Sequence, residues 1–175
     1  MVMKKIMLLA LPLLFIGFVA NAQRYACVDT EYILSSIPEY EQAQKKLEDY
    51  AIDWQKELET KFQAIDKLYK TYQSEAVLLP EDIKAKRENE IIDAEKEAKD
   101  LQKKRFGNDG DLDKKRQELM KPIQDKIFNE IEKFAQEKNY AFVFDKSSGA
   151  SILYVDSKYD ISNDILTRLG YKTKN

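Results

Sequence analysis

Residues 40–79 read YEQAQKKLEDYAIDWQKELETKFQAIDKLYKTYQSEAVLL, and the spacing of their apolar side chains decides the fold. Ala51, Leu58, Ile65, Tyr72 and Leu79 recur every seven residues. Leu47, Trp54, Phe62, Leu68, Tyr69 and Ala76 fill the neighbouring stripe, with one slip near Lys61. A seven-residue apolar period marks a helix lying along a partner helix. Glu41–Lys45, Glu57–Lys61 and Asp66–Lys70 are i,i+4 pairs of the favourable order, each adding roughly a few tenths of a kcal/mol.

The partner is the next stretch of chain. Leu79-Pro80-Glu81-Asp82 reads as a reversal, because proline suits a first helical turn and acidic residues favour the positive end of a new helix. The return helix is expected from Glu81 towards Asn139, interrupted at Gly107-Asn108-Asp109-Gly110 and more mildly at Pro122. The outgoing 40 residues reach about 60 Å at a 1.5 Å rise, and the return is 19 residues longer. That surplus carries Met120, Ile123, Ile127, Ile131 and Phe134 past the origin of the arm, into a compact end.

Both termini build that end. Strands are predicted near 25–29, 141–145 and 152–156, the last two joined by Lys146-Ser147-Ser148-Gly149 as a hairpin loop. A short helix over Thr30–Ser36 precedes Pro38, which suits the first turn of the long helix. A last helix near 161–169 has Asp160 as its N-cap and Gly170 as its stop, with Ile161, Ile165 and Leu169 on one face. The fold class is mainly α with a small β part: a long antiparallel coiled-coil hairpin (residues 40–115, tip near 76–81) projecting from a small strand-and-helix body (23–39 and 116–175). Such a body is too small to bury a good core alone and leaves sheet edges open, so self-association is expected. Tyr25, Cys27, Val28, Phe142, Phe144, Leu153, Val155 and Ile165 are the candidate association residues.

The N-terminus sets the compartment. Lys4 and Lys5 precede an uncharged apolar run, Ile6 to Val19, and Ala20-Asn21-Ala22 has the small-x-small pattern of a signal-peptide cleavage site. The run is broken by Pro12 and Gly17 and falls short of the roughly 20 residues that span a bilayer. Residues 1–22 are therefore expected to be a cleaved signal peptide, placing the mature chain in the periplasm without stable membrane insertion. Arg24-Tyr25-Ala26 before Cys27 does not suit lipid modification, and a lone cysteine cannot form an internal disulfide.

Charge and composition exclude several functions. Charged residues make up 34% of the chain against five glycines and four prolines, a balance that points to long solvated helices. Without the two signal-peptide lysines, 27 basic residues face 31 acidic ones, a net charge of −4 that argues against a nucleic-acid partner. There is no histidine, no nucleophile motif and no phosphate-binding glycine loop, so no enzyme activity and no cofactor are expected. Asp109, Asp111 and Asp113 alternate as in a calcium loop, but Lys114 and Met120 occupy the positions of its glycine and bidentate glutamate.

Two groups of residues carry open alternatives. The arm aromatics Tyr50, Trp54, Phe62, Tyr69 and Tyr72 either fill the seam between the helices or hold a client chain. An arm two helices thick cannot hide every apolar side chain, and exposed patches mark binding. Trp54, Phe62, Tyr69 and Tyr72 are the client-binding candidates. Gly107 and Gly110 are either a bulge that corrects the seven-residue register or a hinge that lets the arms spread.

Cys27-Val28-Asp29-Thr30-Glu31-Tyr32-Ile33-Leu34 with Ile37-Pro38-Glu39-Tyr40 resembles the opening strand and helix of the Skp/OmpH family of periplasmic chaperones. Phe142-Val143-Phe144-Asp145, Ile152-Leu153-Tyr154 and Asp160-Ile161-Ser162 with Ile165-Leu166 and Leu169 resemble its closing strands and last helix. Arg116-Gln117-Glu118-Leu119 with Pro122-Ile123 fits its return helix, in the variant carrying a Phe-Gly-x-x-Gly insertion. The resemblance implies a jellyfish-shaped homotrimer. Its tentacles would enclose unfolded outer-membrane proteins, and the protein would act as a holdase that needs no ATP. Better-known relatives are strongly basic and this chain is acidic, so no lipid-site residue carries over. A structural coiled-coil tether or adhesin of the envelope is the alternative; it calls for an anchor or wall-binding end.

Overall fold

The computed structural model describes residues 23–149 and 152–173; the expected signal peptide, residues 1–22, lies outside the described residues. Strand β1 (Arg24–Val28) leads into helix α1 (Thr30–Ser35) and then the long helix α2 (Pro38–Glu75). The chain turns back through α3 (Glu81–Phe106) and α4 (Asp111–Lys138) into strand β2 (Tyr140–Asp145). A 3-10 turn (Ser157–Tyr159) and helix α5 (Ser162–Arg168) follow.

Local chemistry sets these boundaries. The Asp29 side chain accepts from the Tyr32 N–H at 2.9 Å and caps α1. Pro38 stands at the start of α2, where its missing N–H is no loss. Asn139 adopts a left-handed conformation (φ 55°) that ends α4 and turns the chain into β2. Asp160 takes both the Ser162 N–H (2.9 Å) and its hydroxyl at the start of α5. Gly170 (φ 88°) closes α5: its N–H reaches the Thr167 carbonyl, and the Tyr171 N–H reaches Leu166.

β1 and β2 pair in parallel, with Tyr25 opposite Phe142, Cys27 opposite Phe144 and Val28 opposite Asp145. Parallel neighbours need a crossover, and here the whole helical arm is that crossover. Ala26, Val28, Ile33, Ile37, Ile127, Phe134, Ile161, Ile165 and Leu166 form the core between the sheet and the helices. Met120 is buried as well, and Ile123 and Ile131 pack against the cluster, so the C-terminal half of α4 is built into the compact end. Arg168 fastens α5 to α4 through Glu130 and Glu137 and lies over the Phe134 ring.

Three expectations need correction here. Residues 152–156 form no strand: Leu153 is 98% and Tyr154 82% exposed, with no neighbouring strand among the described residues to complete a ladder. The hairpin expected at Lys146–Gly149 therefore does not form; the Lys146 N–H instead donates to the Val28 carbonyl at 2.9 Å, while Ala150 and Ser151 lie outside the described residues. Among the described residues, the far side of β1 is paired only through a single bridge between Cys27 and Asp160. Pro122, in turn, does not interrupt α4, which runs straight through it. Pro122 and Glu118 are both exposed, so water can serve the carbonyl that lost its donor.

Candidate functional site

The arm is a two-helix hairpin about 57 Å long, from the 38 residues of α2. Its seam is narrow. Ala43, Leu58 and Ile65 on α2 and Ile91 and Ala98 on α3 are its buried side chains, with Leu58–Ile65 and Ile91–Ala98 each spaced by seven. Polar contacts flank them: Lys61 reaches across to Glu97 at 3.2 Å, and Glu57 to Arg105 at 3.0 Å. The expected Glu57–Lys61 pair thus gives way to two cross-helix pairs, whereas Asp66–Lys70 forms at 2.6 Å.

The four arm candidates divide by environment. Phe62 and Tyr69 are each 47% exposed on the outer stripe. Tyr72 is half-buried, and its hydroxyl donates to Glu88 on α3, which pushes the phenol above its ordinary pKa. Trp54 is half-buried, stacked on Tyr50 at 5.5 Å and covered by the Arg105 guanidinium at 4.9 Å. Trp54 and Tyr72 therefore belong to the seam, and Phe62 and Tyr69 present apolar surface to solvent. Sequence spacing overlooked further exposed side chains, Ile52, Ile92 and above all Val77 (91%) and Leu78 (86%) at the turn of the arm. The signal was present as Val77-Leu78-Leu79 beside a proline, where no partner helix is left to cover it.

The body presents a second apolar surface. Tyr25, Phe142 and Phe144 are all about half-exposed, with Tyr25 stacked on Tyr159 at 5.1 Å and Phe142 near Phe144 at 6.1 Å. Tyr25, Cys27, Phe144, Tyr154 and Val155 line an open recess of about 340 Å³. Of the association candidates, Val28 and Ile165 do not belong to this surface. Both are buried in the chain's own core, Val28 beside Ala26 on the inner face of β1 and Ile165 on α5. Cys27 is buried at the rim of the recess; burial, with the Asp160 carboxylate beside it, pushes its thiol pKa up, the opposite of an activated nucleophile.

Between sheet and helices lies a polar cluster. The Asp145 carboxylate takes the Thr30 hydroxyl (2.6 Å), the Thr30 N–H (3.2 Å) and the Ser147 N–H (3.0 Å). Burial alone would raise the Asp145 pKa, but these hydrogen bonds outweigh it and hold the group below the ordinary carboxylate range. Asp160 is lowered in the same way, by Lys146 at 2.8 Å and by Ser162. Every carboxylate in the cluster is spent on a neighbour that ties one element to the next. At the break in the arm, Asp111 pairs with Arg105 and Asp113 with Arg116. Among the described residues no group of three acidic or cysteine side chains could hold an ion, and no helix is long and apolar enough to cross a membrane.

Comparison with known proteins gives this arrangement its kinship. A protein of Aquifex aeolicus (strain VF5), described as uncharacterized, is 32% identical over 145 residues, covering 83% of this chain and 85% of its own. The crystal structure of an OmpH-like outer membrane chaperone from Caulobacter crescentus CB15 superposes with a TM-score of 0.68 over 87% of this chain and 88% of that one. At 12% identity that match speaks for the fold. The pattern of the family described as Outer membrane protein (OmpH-like) matches residues 24–169, which takes in both strands, the whole arm and the closing helix. This chain belongs to the OmpH-like family.

Proposed function

We propose that this protein is a periplasmic holdase, exported by a signal peptide spanning residues 1–22, that keeps unfolded outer-membrane protein precursors soluble without ATP. The observation that carries the reading is the row of exposed apolar side chains along the arm: Ile52, Phe62, Tyr69, Ile92, Val77 and Leu78. A monomeric surface seldom leaves so many large apolar groups along one projection unless they bind something. Spread over about 57 Å, they suit many weak contacts with an extended chain better than one tight contact with a folded partner.

Self-association belongs to the same reading. Tyr25, Phe142, Phe144 and Leu153, with Val155 and Cys27 beside them, offer an apolar patch on a sheet that has just two strands among the described residues. Joining copies there, as a homotrimer, sets several arms around one cavity. In this division residues 23–39 and 116–175 make the body and 40–115 the arm. Membership of a chaperone family, and the likeness to the Caulobacter chaperone, support it.

The test dilutes a urea-denatured outer-membrane β-barrel protein into buffer with purified residues 23–175 and no nucleotide, and follows light scattering. Suppressed aggregation near one oligomer per client is expected. Aggregation as fast as in the control would overturn the holdase reading and favour a structural tether.

A further inference from the structure

The arm is broken once. α3 ends at Phe106, α4 begins at Asp111, and the four residues between leave the helical path, with Asp109 in the left-handed region at φ 58°. Glycines at such a place invite the reading of a hinge. Their geometry points elsewhere. Gly107 (φ −70°) and Gly110 (φ −69°) have backbone angles that any residue adopts. What excludes other residues is crowding. A Cβ on Gly107 would sit 2.4 Å from the Lys103 carbonyl oxygen, and one on Gly110 would sit 2.7 Å from that of Gly107 and 2.9 Å from that of Lys104. Both glycines serve a close approach of backbone, and Gly110 is buried.

Side chains then tie the two sides of the break together. The Arg105 guanidinium, the last turn of α3, bonds Asp111 at the first turn of α4 (2.7 Å) and Glu57 on the unbroken helix α2 (3.1 Å). The same guanidinium lies over the Trp54 ring at 4.9 Å. Beyond the break, Lys115 of α4 lies over Tyr50 at 5.4 Å, and Tyr50 and Trp54 are stacked on each other. Each broken segment thus grips one ring of a stacked pair on the continuous helix. Arg105 and Asp111 are both largely shielded from solvent, with side chains 21% and 23% exposed, so this ion pair is less screened than an ordinary surface one.

We propose that Arg105 is a positioning residue that splints the break against Trp54, Glu57 and Asp111, fixing the arm as a rigid joint rather than a free hinge. The inference holds whatever the arm binds. It also changes which variants are informative. Alanine at Gly107 or Gly110 would prise the backbone open by collision, so Arg105 must be altered instead.

Trp54 is the only tryptophan in the chain, and its emission reports the stacked guanidinium directly. In the full mature protein, Arg105→Ala should shift Trp54 emission to the red and raise its quenching by acrylamide. Exchange of amides 104–115 should quicken by about tenfold or more, while amides of β1 and β2 keep their wild-type rates. Arg105→Lys keeps the charge without the planar fork and should fall between. Should Arg105→Ala fail to fold, Asp111→Asn removes only the bond across the break and should quicken exchange severalfold. The splint is overturned if wild-type amides 107–114 already exchange as fast as the turn at 76–80. It is equally overturned if the Arg105 and Asp111 variants leave Trp54 emission and local exchange unchanged.

Discussion

The body and the arm are held together by different means. In the body, nine buried side chains from the sheet, α1, α4 and α5 converge on one cluster, and a ring of charge-assisted hydrogen bonds closes around it. In the arm, five buried side chains are strung out along two helices, and nearly everything else is at least partly open to water. A body residue therefore supports many elements at once, whereas a seam residue supports only the turn opposite it. The comparison teaches where cooperativity should stop. The arm can loosen without unfolding the body, but the body cannot loosen without freeing both roots of the arm.

The largest effect should follow from cutting into the body. Ile165 of α5 is fully buried in the core cluster, and Ile165→Ala should lower global stability by about 2–5 kcal/mol. Leu58→Ala removes as much buried hydrocarbon from the seam, yet its cost should appear locally, as faster amide exchange around residues 54–62 and 94–102. Denaturant titration by circular dichroism, alongside exchange, separates the two. If Leu58→Ala lowers the same cooperative transition as Ile165→Ala by the same amount, arm and body are one unit and the distinction fails.

Acid should also strike the body first. The Asp145 and Asp160 carboxyls sit below their ordinary pKa in the folded state, so the stability they contribute is present above the unfolded value, about 3.9, and is lost as pH falls through the folded values. The unfolding midpoint should hold from neutral pH to about 5 and drop steeply below about 4. Asp145→Asn should cost about 1–3 kcal/mol at neutral pH, by leaving part of the Thr30 and Ser147 hydrogen bonding unmet, and should flatten the acid limb. An acid limb of unchanged steepness in that variant would show that the cluster does not set it.

How far the sequence could be read follows the same division. The seven-residue period of Leu58 and Ile65 was legible because a helix seam is a local, periodic demand on composition. Pro38 at the head of α2 and Gly170 at the end of α5 were legible because backbone geometry is local too. Residues 152–156 misled, since alternating apolar side chains describe strand propensity while a strand also needs a partner edge, which the described residues do not supply. Val28 and Ile165 read as association residues because apolarity alone does not say whether a face turns to its own core or to another copy. Arg105 read only as part of the basic run Lys103-Lys104-Arg105, not as a tie across the arm: its partner Glu57 lies 48 residues away, and no spacing rule connects them.

On the arm, function should separate from stability. Phe62 and Tyr69 are half-exposed and carry little of the seam, so Phe62→Ser with Tyr69→Ser should weaken client binding by about tenfold, from the lost apolar area, with the body's unfolding midpoint unchanged. Trp54→Phe keeps an aromatic face for Arg105 and should leave binding close to wild type. Fluorescence anisotropy of a labelled, denatured outer-membrane protein would measure both. Equal losses in the two variants would return Trp54 to the client surface.

The smallest effect should be that of salt. Lys103-Lys104-Arg105 and Lys114-Lys115-Arg116 look like basic patches able to attract an acidic client, and a shorter screening length would then weaken capture. Yet Arg105 is held by Glu57 and Asp111, Lys115 by Glu118 and Arg116 by Asp113. Further out, Lys61, Lys70, Lys84 and Arg87 each hold a carboxylate of the same arm. Charge neutralised within the arm has little field left at the distance of an approaching chain, and residues 23–175 as a whole are acidic. Apolar contact is indifferent to moderate salt. Raising sodium chloride from about 0.05 to about 0.5 M, which shortens the screening length severalfold, should therefore change client affinity by less than about threefold. A loss beyond tenfold would mean that Lys103, Lys104 and Lys114, rather than Phe62 and Tyr69, make the first contact, and the arm would then differ from the body in charge more than in packing.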